Sequence, residues 1–135
     1  MTRNDSGKGQ VGGGESLRVL WTVSGYKRTN AATWSEDEAK GMLFKPLDMD
    51  SSSITFDRKK CENISFERKE AQAAAYLERT YHVTPQWLDI ADDVIRVVKT
   101  NCNIPGFAEY MHLKDRRVVI FINGTFFFLE PNVNY

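Results

Sequence analysis

The run Val118-Val119-Ile120-Phe121-Ile122-Asn123-Gly124-Thr125-Phe126-Phe127-Phe128-Leu129-Glu130 constrains the fold more than any other part of the chain. Two apolar stretches flank an Asn-Gly pair. Asn and Gly tolerate the positive φ angles of a type I′ turn, whose twist matches that of the strands it joins. The pattern predicts a β-hairpin. Successive side chains of a strand point to opposite faces, so three consecutive phenylalanines cannot all face water. The second strand must therefore be covered on one face and at least partly on the other. A small β-sheet domain centred on this pair follows.

Period-2 patterning extends the sheet in both directions. Residues 94–100 are rich in β-branched side chains and read as a strand, with Ile95 and Val97 opposed to Val94, Arg96 and Val98. Residues 107–113 alternate again, and the polar turn 114–117 leads into the hairpin. Short turns between these strands imply an antiparallel meander. Towards the N-terminus, Leu17, Val19, Trp21 and Val23 share one face of a strand, and Gly25 marks a bulge or bend. Shorter strands are expected at 47–50, 54–56 and 64–68, with 57–63 a loop. Ser35 and Glu38 form a capping box that opens a short helix ending at Gly41. An alanine-rich helix is expected over 70–80, and Thr84-Pro85 opens a helix of one to two turns reaching Ile90. The fold class is mainly β: an antiparallel β-barrel or strongly curved sheet of seven or eight strands, with two or three short helices.

At 135 residues the chain is one domain. Residues 1–16 are polar and glycine-rich, a disordered tail or a remnant of expression, and the β-barrel-like domain occupies 17–135. The 18 basic and 18 acidic side chains balance, which speaks against a general nucleic-acid binder. No apolar run is long enough for a membrane-spanning helix. No apolar segment follows Met1, so the chain is either cytoplasmic or an exported protein whose signal has been removed.

Motifs that would carry chemistry are scarce. His82 and His112 with Cys61 and Cys102 match no zinc spacing, so no metal site is expected. No G-x-S-x-G, paired-carboxylate or phosphate-cradling glycine motif stands out, so no catalytic residue and no cofactor is assigned. Asn63-Ile64-Ser65 and Asn123-Gly124-Thr125 match the glycosylation sequon, and the second is explained by its turn. Cys61 and Cys102 are either two buried thiols or one disulfide; the latter favours an exported protein. Trp21, Tyr26, Trp34, Trp87 and Tyr110 are candidates for an interface or pocket, should some of them cluster. Otherwise function is expected in the polar loops 27–34, 57–63 and 103–106.

One resemblance covers about residues 17–130. A Trp-Thr-Val-x-Gly-Tyr strand (21–26) is followed by a Ser-Glu-x-Glu-Ala helix (35–39) and a Phe-Asp-x-x-x-Cys segment (56–61). Then come a Val-Thr-Pro-x-x-Leu turn (83–88), Cys102 near a late strand, and the Asn-Gly-Thr-Phe-Phe-Phe-Leu hairpin (123–129). This order resembles a group of small exported proteobacterial proteins often described as lipocalin-like. It departs from true lipocalins, because Val19 stands where a G-x-W motif has glycine, and helices interrupt the strands. The resemblance implies a periplasmic or secreted setting and a Cys61–Cys102 disulfide. The expected function is non-catalytic binding of a protein partner, as an inhibitor or immunity protein of a secreted or cell-wall enzyme. The alternatives are a carrier of a small apolar ligand and a hydrolase with an unrecognised site.

Overall fold

The computed structural model describes residues 19–132. In chain order the elements are β1 (Val19–Arg28), α1 (Glu36–Lys40), β2 (Pro46–Met49), β3 (Ile54–Phe56), β4 (Lys59–Cys61) and β5 (Phe66–Gln72). There follow α2 (Ala73–Tyr81), β6 (Val94–Thr100), β7 (Glu109–His112), β8 (Val118–Ile122) and β9 (Thr125–Pro131). The strands form one nine-stranded antiparallel sheet, ordered β4-β3-β2-β1-β9-β8-β7-β6-β5, curved into a half-barrel.

The hairpin β8–β9 holds the sheet together. Asn123 (φ 52°) and Gly124 (φ 80°) both have positive φ, as a type I′ turn requires. The loop after β1 clamps the turn: Thr29 N and Thr29 Oγ1 donate to Gly124 O at 2.9 and 2.7 Å, and Thr33 N donates to Asn123 O at 2.9 Å. Phe126 and Phe127 are fully buried on opposite faces, and Phe128 is half-buried. Each fully buried phenylalanine contributes roughly 1.5–3 kcal/mol of transfer free energy. β9 also pairs with β1, which closes the long loop from the N-terminal to the C-terminal strand. Ser24, beside Gly25, is the extra residue of a bulge in β1, so the expected irregularity lies one residue earlier.

A sheet buried on both faces needs two cores. One cluster joins Leu47, Ile54 and Phe56, from one end of the strand order, to Val98 and Tyr110 near the other. Strands far apart in the order can touch in this way only inside the curve, so this is the concave core. Ala39 and Met42, from α1 and the turn after it, add to this core beside Trp34 and Tyr26. The second core lies on the convex side. There Tyr76 and Leu77 of α2, with Leu88 and Ile90, cover Ile95, Val97, Met111, Val119 and Phe126.

The capping box is present: Glu38 N donates to Ser35 Oγ, and Ser35 N donates to Glu38 Oε1 at 2.8 Å. Three expectations are corrected. Residues 59–61, expected within a loop, form β4 and bring the strand count to nine. β5 runs on through Glu70–Gln72, where the helix was expected, because all seven of its residues pair with β6. Residues 85–90 form turns rather than a helix; Leu88 N and Ile90 N both donate to Pro85 O, and Asp89 is left-handed at φ 57°. Among the described residues no helix is long and apolar enough to cross a membrane.

Candidate functional site

Cys61 and Cys102 form a disulfide, with Cα atoms 5.7 Å apart. Cys61 ends β4, and Cys102 lies just beyond β6, beside β5. The bond therefore ties the edge strand β4 to the segment that follows β6, the last strand but one of the order, alongside the four-residue link 62–65. Disulfides of this kind are typical of oxidising compartments. The bond also removes both sulfurs from any metal set. His82 is exposed at the end of α2 in the left-handed conformation, and His112 lies on the concave face.

The five aromatic candidates do not form one cluster. Tyr26 and Trp34 pack on Phe127 in the concave core, and Tyr26 Oη donates to Glu36 Oε2 at 2.6 Å. That bond and burial raise the Tyr26 pKa. Trp87 packs on Phe126 on the convex side, with the Lys27 ammonium 4.4 Å above its ring. Trp21 and Tyr110 share one site. Both line a cavity of about 510 Å³ at the concave mouth, together with Val19, Met49, Asp50, Ser51, Phe66, Arg68, Arg96 and His112.

Strand register explains why these residues converge. β5, β6 and β7 place Glu70 opposite Arg96 and Arg96 opposite His112 in one concave row, with Arg68, Val98 and Tyr110 in the next. The tip of the β7–β8 turn then approaches across the rim, where Trp21 Nε1 donates to Arg116 O at 2.8 Å. The Trp21 and His112 rings meet edge-on at 6.1 Å. Arg68 lies over the Phe66 ring at 4.9 Å, a cation–π contact that orients its guanidinium. Among the described residues neither Arg68 nor Arg96 makes an ion pair. Glu70, although opposite Arg96 in the ladder, makes none with it.

The electrostatics follow from this placement. Arg68, Arg96, Lys114 and Arg116 surround the mouth, against Glu70 and Asp50. Burial lowers the His112 pKa, and the nearby Arg96, Arg68 and Arg116 charges lower it further, opposed only weakly by Asp115. His112 is therefore a neutral hydrogen-bonding group at pH 7. Burial pushes the Tyr110 hydroxyl up to about 12, so it too stays neutral. The floor beneath is filled, because Val23, Leu47, Ile54, Phe107, Ile120, Phe127 and Leu129 are all inaccessible to solvent. The arrangement can hold an anion at two guanidinium groups beside an apolar wall. Among the described residues the buried side chains beneath it close its floor.

The sequence reading missed Arg68 and Arg96. One signal was visible: Arg96 shares its strand face with Val94 and Val98, so an arginine sits where apolar side chains are expected. Of the polar loops expected to carry function, 27–34 also lines a cavity of about 530 Å³, through Thr29, Asn30 and Ala31 beside Trp87. The 29–33 loop clamps the hairpin turn, 59–61 is a strand, and Ile104 is buried in the concave core. No family model matches the chain, and neither a curated protein nor a solved structure matches it.

Proposed function

We propose that the protein is a non-catalytic binding domain of the inhibitor or immunity type, working in the periplasm or outside the cell. Its concave mouth takes a carboxylate presented by a protein partner. One observation carries this reading: two guanidinium groups, Arg68 and Arg96, face the concave mouth with no ion pair among the described residues. Arginine forks bind carboxylates in a bidentate manner, and such bonds are stronger than neutral ones. The filled floor favours this reading over a carrier of an apolar ligand, which would need an empty apolar lumen. The disulfide supports the extracytoplasmic setting.

The test is affinity capture from the envelope fraction of the source organism, with wild type and the Arg68→Gln/Arg96→Gln variant side by side. Losing one member of a desolvated charge pair costs about 2–5 kcal/mol of binding free energy. A stoichiometric partner held by wild type and lost by the double variant is the expected result. Equal retention by both proteins would place the interface elsewhere.

A further inference from the structure

The mouth continues along an open edge of the sheet. β5 is hydrogen-bonded to β6 through all seven residues, without a bulge or proline. Its other backbone edge has no strand partner among the described residues. A strand of this length spans about 23 Å. The opposite edge strand, β4, has only three residues and is a poor template.

The concavity beside β5 is elongated. The cavity of about 510 Å³ shares Arg68 and Arg96 with a neighbour of about 370 Å³ lined by Arg68, Lys69, Glu70 and Arg96. A third, of about 360 Å³, shares Glu70, Arg96 and His112 with these two. Together they form a trough along the inner side of β5, apolar at Met49, Trp21 and Phe66 and cationic at Arg68 and Arg96. A trough of this shape fits an extended chain better than a compact molecule.

The charges on β5 have a defensive explanation, since an inward-pointing charge on an edge strand discourages pairing. That accounts for Arg68. It does not account for Arg96, which lies one strand in and cannot guard the edge.

We infer that β5 is a strand-addition site for an extended acidic segment of a protein partner. The segment would form a tenth strand and direct one carboxylate between Arg68 and Arg96. This rests on the mouth being the binding site and adds how the partner is held. Because side chains alternate, residues two before or two after the acid also face the trough. The recognised pattern is therefore an apolar residue two positions from the acid, set against Trp21, Met49 and Phe66.

The probe is a fluorescein-labelled heptapeptide alternating threonine with valine and carrying one central glutamate, titrated with the full chain by fluorescence anisotropy. Two further peptides carry N-methyl groups on alternate residues, each blocking one backbone edge. Saturable binding is expected, weakened at least tenfold by glutamine in place of the glutamate and at least tenfold in Arg96→Gln. One N-methylated peptide should lose at least tenfold and the other should bind like the parent. Thermal unfolding of Arg96→Gln checks that the variant is folded. If both N-methylated peptides bind like the parent, strand addition is wrong while the carboxylate site stands. No saturation at millimolar peptide overturns strand addition as well, and the capture experiment then judges the mouth independently. A dimer of the chain that the peptide does not dissociate would make a second copy the occupant of this edge, and would also overturn the proposal.

Discussion

Removing the Cys61–Cys102 disulfide should lower global stability by ~4 kcal/mol. The bond closes a loop with a sequence separation of 41. In the chain-entropy treatment, a cross-link of that span removes about 13 cal/mol/K from the unfolded ensemble, or ~4 kcal/mol at 25 °C. Domains of this kind have about 5–15 kcal/mol in total, so the loss is a large share. The perturbation is Cys61→Ala/Cys102→Ala. Alanine is preferred to serine because Cys102 is only 3% exposed, and a hydroxyl there would be buried without an assured partner. The assay is urea unfolding followed by tryptophan fluorescence, on the variant and on wild type with and without reductant. Reduced wild type and the variant should lose similar amounts, and their m-values should rise as the unfolded chain expands. Backbone amide spectra should keep the sheet pattern, since the 62–65 link still connects β4 to β5. A loss below ~1 kcal/mol in both would refute the entropic account. A collapse of β4 pairing alone, with the rest of the sheet at full stability, would show that the bond acts locally.

Gly124→Ala should cost more than the ~1 kcal/mol typical of a tolerated glycine change, because the residue sits at φ 80° and its Cβ would lie 2.5 Å from Ala32 Cα and 2.6 Å from Ala31 O; equilibrium unfolding measures it, and a neutral outcome would mean that the clamp loop moves freely. Tyr76→Phe should destabilise by about 2 kcal/mol, because Tyr76 Oη donates to Glu109 Oε2 and hydrogen bonds to charged groups are worth about 1.5–3 kcal/mol. Burial and this carboxylate together raise the Tyr76 pKa, so ultraviolet titration should show the group silent through the alkaline range in the folded protein. His112 should titrate below 6.5 by NMR, through burial and the Arg96, Arg68 and Arg116 charges. With a depressed folded pKa, the unfolded chain binds the proton first. The His112 contribution is therefore fully present above the unfolded value and declines as pH falls from 6.5 to the folded pKa. A carboxylate bound at the mouth should raise the His112 value, and an unchanged value on binding would place the anion elsewhere.

Local chemistry was legible in the chain wherever a short stretch settles its own structure. Asn123-Gly124 specified the turn, Ser35 and Glu38 specified the helix cap, and alternation over 94–100 specified β6 in phase. β4 was not legible, because Lys59-Lys60-Cys61 has no apolar alternation; it is a strand only because Ile54–Phe56 lies alongside to pair with it. The 70–72 segment has helical propensity in its favour, yet pairing with β6 overrides it. Such tertiary override is expected where propensity differences are tenths of a kcal/mol per residue and a ladder bond is worth more.

The sequence by itself determined that this protein is a small antiparallel β structure with a central hairpin buried on both faces, because turn chemistry and period-2 burial act over a few residues. Only the tertiary structure decided which face is concave. That choice brings Arg68 and Arg96, on adjacent strands, to face Trp21, and sets Cys61 of the edge strand β4 against Cys102 beyond β6. These pairs are separated by 28 and 41 residues. No local rule connects them, because their proximity follows from how the whole sheet curves.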